Sequence, residues 1–129
     1  METTVSDAKK KILIIDDADV NQLLLARMLG EYEVINAYDY KQGMERLRDN
    51  ADTISLIILD LVLPDENGIE LLEKIKSNDA TKDIPVIVMS AQVQMEQKVL
   101  DMGAVEFWKK PFYKATEVQA RVANILNAK

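Results

Sequence analysis

The chain contains neither cysteine nor histidine. Without cysteine it has no disulfide framework, no thiolate metal site and no cysteine nucleophile. Without histidine it lacks the commonest general base and the commonest zinc ligand. Positive charge is also scarce: 16 Lys and Arg stand against 22 Asp and Glu, for a net charge of −6. Direct nucleic-acid binding needs a basic patch that neutralises phosphates, and the basic runs here, Lys9–Lys11 and Lys109–Lys110, are short. No apolar run approaches the ~20 residues of a membrane helix, and Met1–Ala8 has no signal-peptide core. A cytoplasmic protein without membrane or nucleic-acid contact is therefore expected. Its chemistry must come from carboxylates, hydroxyls and lysines, with or without a hard metal ion.

What is present fits one globular domain. The 129 residues are 48% hydrophobic and 29% charged, ordinary values for a folded protein. There is no internal repeat and no low-complexity segment. Short apolar runs rich in β-branched residues occur at Ile12–Ile15, Ile54–Leu59 and Ile84–Met89, with weaker ones at Glu33–Ala37 and Val105–Trp108. Between them lie segments with helical spacing. The first follows Asp19, the expected N-cap, presents Val20, Leu23, Leu24 and Met28 on one face, and stops at Gly30. The second spans Tyr40 to Asn50, with Met44 and Leu47 on one side. The third opens near Gly68 and carries Ile69, Leu72 and Ile75. The fourth runs from Gln92 to Met102 with Met95, Val99 and Met102 aligned, and Gly103 ends it. The fifth runs from Tyr113 to Asn127 with Val118, Val122 and Ile125 aligned. Strands that are apolar throughout imply a parallel sheet covered on both faces. The pattern therefore predicts a doubly wound α/β sandwich of (βα)5 type, with its site at the carboxyl ends of the strands.

Those ends carry polar residues. The first strand runs into Asp16 and Asp17, the third into Asp60, the fourth into Ser90 and the fifth into Lys109, Lys110 and Pro111. Singly, each has an ordinary reading: loop caps for the aspartates, a strand-end hydroxyl for Ser90, a surface lysine before a turn for Lys110. Together they suggest more. Like charges ~4 Å apart repel by roughly 4 kcal/mol at an effective dielectric of 20, and a divalent cation removes that repulsion. Ligation by oxygen alone favours Mg²⁺ or Mn²⁺. A carboxylate is a competent phosphoryl nucleophile. An ammonium and a hydroxyl can stabilise the oxygens of a transferring phosphoryl group.

Four motifs, ILIIDD at 12–17, LIILDLVLPDENG at 56–68, VIVMSA at 86–91 and GAVEFWKKPF at 103–112, follow one another at a spacing that resembles the receiver (phosphoacceptor) domain of two-component response regulators, the CheY-like family. The resemblance implies a flavodoxin-like three-layer sandwich with strand order 2-1-3-4-5, formed by residues 10–129 after a flexible tail at 1–9. Asp60 then matches the phosphorylated aspartate. Asp16 and Asp17 match the acidic pair that holds Mg²⁺ with Asp60 and the main-chain carbonyl of Val62. Ser90 and Phe107 match the switch residues. Lys110 matches the lysine before a proline, whose Lys110–Pro111 bond is expected to be cis. Pro64 and Gly68 match the turn into the third helix. Val62 and Gln92 depart from the commoner pattern, and both positions flank the path of an attacking water.

The implied partners are a histidine kinase or histidine phosphotransfer protein, and a downstream protein target or separate output domain. Homodimerisation through the face of the fourth helix, fifth strand and fifth helix is a further implication. A signalling domain is expected, catalysing only its own phosphorylation and dephosphorylation. Haloacid-dehalogenase phosphatases need a second Asp where this chain has Val62. A flavodoxin needs a hydroxyl- and glycine-rich loop where this chain has Asp16-Asp17-Ala18-Asp19. The remaining alternative is a phosphorylation-independent interaction or dimerisation module on the same fold.

Overall fold

Apolar runs too short for helices pair into a parallel sheet in this computed structural model, which describes residues 9–111 and 114–127. The strands are β1 (Lys11–Ile15), β2 (Glu33–Ala37), β3 (Ile54–Asp60), β4 (Val86–Ser90) and β5 (Glu106–Lys109). They lie side by side in the order β2-β1-β3-β4-β5, all in parallel. The helices are α1 (Asp19–Met28), α2 (Tyr40–Asn50), α3 (Gly68–Ser77), α4 (Glu96–Asp101) and α5 (Ala115–Asn127). None of the described helices is long and apolar enough to cross a membrane. The expected start of the fifth helix at Tyr113, Phe112 of the last motif, and the expected tail up to Ala8 lie outside the described residues.

Alternation along the strands sends side chains to two cores. Leu13, Ile15, Ile57, Leu59, Val86, Val88 and Phe107 join Leu47, Leu71, Leu72, Ile75 and Val99 beneath α2, α3 and α4. Ile12, Ile14, Leu56, Ile58, Ile87, Met89 and Trp108 join Leu25, Leu29, Val118 and Val122 beneath α1 and α5. This is the doubly wound sandwich the sequence predicts.

Three expectations need correction. The first helix does not turn Val20, Leu23 and Leu24 inward: they are 61%, 64% and 43% exposed. It buries Gln22 and Leu25 instead, because polar strand ends beneath it need a donor. Asp19 is not the cap. Ala18 is, and its methyl side chain makes no capping bond; its N–H donates to Asp16 Oδ1 at 2.9 Å. The fourth helix is not continuous from Gln92. A 3₁₀ turn at Val93–Met95 precedes α4, set by bonds from Val93 N to Ala91 O and Met95 N to Gln92 O. Val99 is nevertheless buried, and Met95 and Met102 pack against the same core. Gly103 follows with φ +111°, a left-handed turn that a residue with a Cβ rarely adopts.

Smaller shifts occur at strand ends. Ile84 N bonds Thr81 O in a turn, so β4 begins at Val86 and not at Ile84. β5 starts one residue later than its apolar run, at Glu106, and ends at Lys109.

Candidate functional site

Parallel register carries four polar strand ends to one edge of the sheet. Ile15 on β1 pairs with Leu59 on β3, so Asp16 and Asp60 emerge next to one another. Asp60 pairs with Met89 on β4, which brings Ser90 one residue beyond. Ser90 pairs with Lys109, and Lys110 N donates to Ser90 O at 3.0 Å.

The carboxylates of Asp16, Asp17 and Asp60 each offer an oxygen, all within 4.8 Å of one another. Asp16 and Asp60 are buried and Asp17 is exposed, so the group opens to solvent on one side. Lys110 Nζ lies 2.7 Å from Asp60 Oδ2 and 3.5 Å from Asp16 Oδ2. One ammonium against three carboxylates leaves an excess of negative charge. Burial pushes the Asp60 carboxyl above the ordinary aspartate range, and the Lys110 and Val62 hydrogen bonds only partly offset this. Burial alone pulls the Lys110 ammonium down, but its bond to Asp60 and the nearby aspartate charges outweigh that and hold it above the usual lysine value. An all-oxygen donor set with excess negative charge and an open side fits a hard divalent cation.

The loop after β3 is fixed by close packing. Val62 N donates to Asp60 Oδ1 at 3.0 Å, and Gly68 N donates to Leu61 O at 2.9 Å. A Cβ on Gly68 would stand 2.6 Å from both the Asp60 carbonyl oxygen and Leu61 Cα. The first turn of α3 therefore rests on the Asp60–Leu61 backbone, a distance only glycine allows. Ser90 is buried, and its Oγ accepts from Gln92 N at 2.9 Å. The Lys110–Pro111 bond is cis. Phe107 is not among the carboxylates; it is buried in the α2–α4 core. Val62 and Gln92 are exposed at the rim.

Sequence reasoning passed over three residues that support this geometry. Asn21 Nδ2 donates to Asp16 Oδ2 at 2.9 Å. Gln22 lies beneath Asp16 and bonds its carbonyl oxygen at 3.0 Å. Asp65, in the β3–α3 loop, accepts from Tyr40 N at 2.8 Å and Lys41 N at 3.2 Å, anchoring that loop to the start of α2. The usable signal for Gln22 was its place at helical spacing with Leu25 and Leu29.

Comparison with known proteins identifies the family. The family model described as response regulator receiver domain matches residues 12–123. The response regulator ArlR of Staphylococcus saprophyticus is 37% identical over 124 residues, covering 90% of this chain and 52% of that protein. The two-component response regulator-like PRR37 of Oryza sativa subsp. indica is 36% identical over 108 residues, covering 81% of this chain and 15% of that protein. The chain thus spans about half or less of these two relatives. Among solved structures, the CheX–CheY–BeF3–Mg²⁺ complex from Borrelia burgdorferi matches with a TM-score of 0.84 at 26% identity, covering 95% of this chain and 93% of that one. With sequence, strand order and structural likeness in agreement, the chain belongs to the response regulator receiver domains of two-component signalling.

Proposed function

We propose that the chain is a phosphorylation switch in which Asp60 accepts a phosphoryl group from a phosphohistidine on a histidine kinase or histidine phosphotransfer protein. The observation that carries this reading is the buried Asp60 carboxylate, bonded to Lys110 inside a cluster of three carboxylates. Residues 10–129 act as the receiver unit. Asp16, Asp17, Asp60 and the main-chain carbonyl of Val62 would hold Mg²⁺, with Mn²⁺ as an equivalent. The bound cation supplies charge neutralisation for the phosphoryl oxygens.

The residues of the chain do the rest. An Asp60 carboxylate oxygen attacks phosphorus, and the phosphorus–nitrogen bond breaks. The imidazole leaves with the electron pair and takes a proton from solvent. Lys110, already within 2.7 Å of Asp60 Oδ2, places its ammonium on a phosphoryl oxygen. Ser90 gives up its contact with Gln92 N and donates its hydroxyl to another. Phe107 follows toward the space that Ser90 vacates, and the α4–β5–α5 surface changes. A downstream protein, an output domain or a second copy reads that surface. The switch works because the phosphoryl group favours one arrangement over the other. Water later attacks the phosphorus past Val62 and Gln92, whose side chains set the lifetime of the phosphorylated state. Val20, Leu23 and Leu24, exposed on α1 beside the acidic edge, give the phosphoryl donor an apolar footing.

The test is mass spectrometry after incubation with acetyl phosphate and Mg²⁺. One added phosphoryl group is expected, lost on mild alkaline treatment and absent with a chelator or in Asp60→Asn. A folded protein that takes up no phosphoryl group and binds no beryllium fluoride would leave the phosphorylation-independent module as the better reading.

A further inference from the structure

The side chain of Gln22 is 2% exposed, and no step above uses it. Its Nε2 reaches the carbonyl oxygens of Ile14 at 3.1 Å, Asp16 at 3.0 Å and Ala37 at 2.9 Å. Its Oε1 accepts from Asn36 Nδ2. Arg46 on α2 in turn donates to the Asn36 carbonyl at 3.1 Å. The amide thus fills the notch where the β1–β2 ladder ends, just after Asp16 N bonds Ala37 O. One turn of α1 grips Asp16 at both ends: Gln22 holds its carbonyl, and Asn21 holds its carboxylate.

We infer that Gln22, oriented by Asn36, is a positioning residue for the divalent cation, fixing the Asp16–Asp17 peptide so that the carboxylates stay converged. This rests on the proposed cation site. Three carboxylates within 4.8 Å gain by separating when no cation is present. Two of them sit on adjacent residues, so rotation of one peptide would let them part. A buried amide bonded to three carbonyls and one amide opposes that rotation. A site that is already converged binds its ion more tightly than one that must first reassemble. A plain packing role needs none of this, because an apolar side chain of the same volume fills space equally well.

The test measures Mg²⁺ affinity from the shifts of backbone amides near the site, beside the thermal midpoint of the ion-free protein. Wild type, Gln22→Met and Asn36→Ala are compared. Gln22→Met is expected to weaken Mg²⁺ binding about tenfold or more, and Asn36→Ala to weaken it less in the same direction. An unchanged affinity in folded Gln22→Met, whatever its midpoint, overturns the inference. Should that variant not fold, an unchanged affinity in Asn36→Ala does so. Wild type that binds no Mg²⁺ removes the cation reading itself, an outcome distinct from either.

Discussion

Helices α1 and α3 are each ten residues long; α1 starts two residues after Asp17, and α3 starts against the backbone of Asp60 and Leu61. They use their side chains in opposite ways. α3 buries Leu71, Leu72 and Ile75 and is capped by Asn67, whose side chain accepts from Ile69 N. α1 has no side-chain cap, buries a glutamine, and leaves three of its apolar residues to solvent. Burial of apolar area holds α3 down, at roughly 25 cal/mol per Å². Bonds from Gln22 to strand ends supply part of the hold on α1. A helix secured partly in that way leaves apolar residues exposed, and on α1, which starts two residues after Asp17, these are Val20, Leu23 and Leu24.

The sharpest way to break this comparison is to delete equal side chains from both helices. Leu72→Ala removes a fully buried side chain and should cost about 3 kcal/mol in chemical denaturation. Leu23→Ala should change stability by less than about 0.5 kcal/mol. It should nevertheless slow phosphoryl transfer from a donor protein while leaving labelling by acetyl phosphate unchanged. Equal losses of stability in the two variants would sink the contrast. Gly68→Ala comes next. Its Cβ would lie 2.6 Å from main-chain atoms of Asp60 and Leu61, so the start of α3 must shift at about 2 kcal/mol, with reduced phosphorylation of Asp60.

The caps sharpen the same contrast more gently. Asn67→Ala should destabilise by about 1 kcal/mol, and Ala18→Ser, at an extended N-cap position, should stabilise by about 0.5 kcal/mol. Thermal melts of the two variants would show opposite signs.

The smallest effect concerns the loop before α3. Desolvation alone would raise the Asp65 carboxyl, but the backbone amides together, those of Tyr40 and Lys41 foremost, outweigh it and hold the group below the ordinary aspartate range. A depressed carboxyl contributes stability at neutral pH and loses it as pH falls through its lowered value. Asp65→Asn should therefore flatten the acid end of a plot of melting temperature against pH. An unaltered acid limb would mean that the clamp on α2 adds nothing to stability.

Much of this was legible in the sequence because apolar runs end abruptly in charge. Asp60 interrupts the apolar stretch from Leu56 to Leu63, a costly place for a charge unless it is paired or metal-bound, and a parallel sheet collects such strand ends at one edge. The register then follows from pairing, and the neighbours Asp16, Asp60 and Lys110 follow from the register. Less was legible in α1. Leu23, Leu24 and Leu25 are consecutive, so helical spacing admits two apolar stripes, one with Val20 and Met28 and one with Leu29. Gln22 decides between them through the carbonyls of Ile14, Asp16 and Ala37, which belong to the folded sheet and not to any local pattern. Asp65 was missed for a related reason: its partners are 24 and 25 residues away in the chain. The 3₁₀ turn before α4 was hidden because Met95, Val99 and Met102 keep helical spacing through it.

Adjacent aromatic residues on β5 look in opposite directions. Phe107 belongs to the core under α2–α4, and Trp108, the single tryptophan, to the core under α1 and α5. Its indole Nε1 donates to Glu106 Oε1 at 2.8 Å, and the same oxygen accepts from Arg121 of α5 at 3.1 Å. The chain therefore carries an optical gauge on the far side of the sheet from Phe107, the proposed aromatic switch residue. A simple rotation of the Phe107 ring would leave the emission colour of the indole as it was. A spectral shift on phosphorylation would mean that the β5 main chain or its seam with α5 had moved, and so would separate a local rearrangement from one transmitted through the sheet.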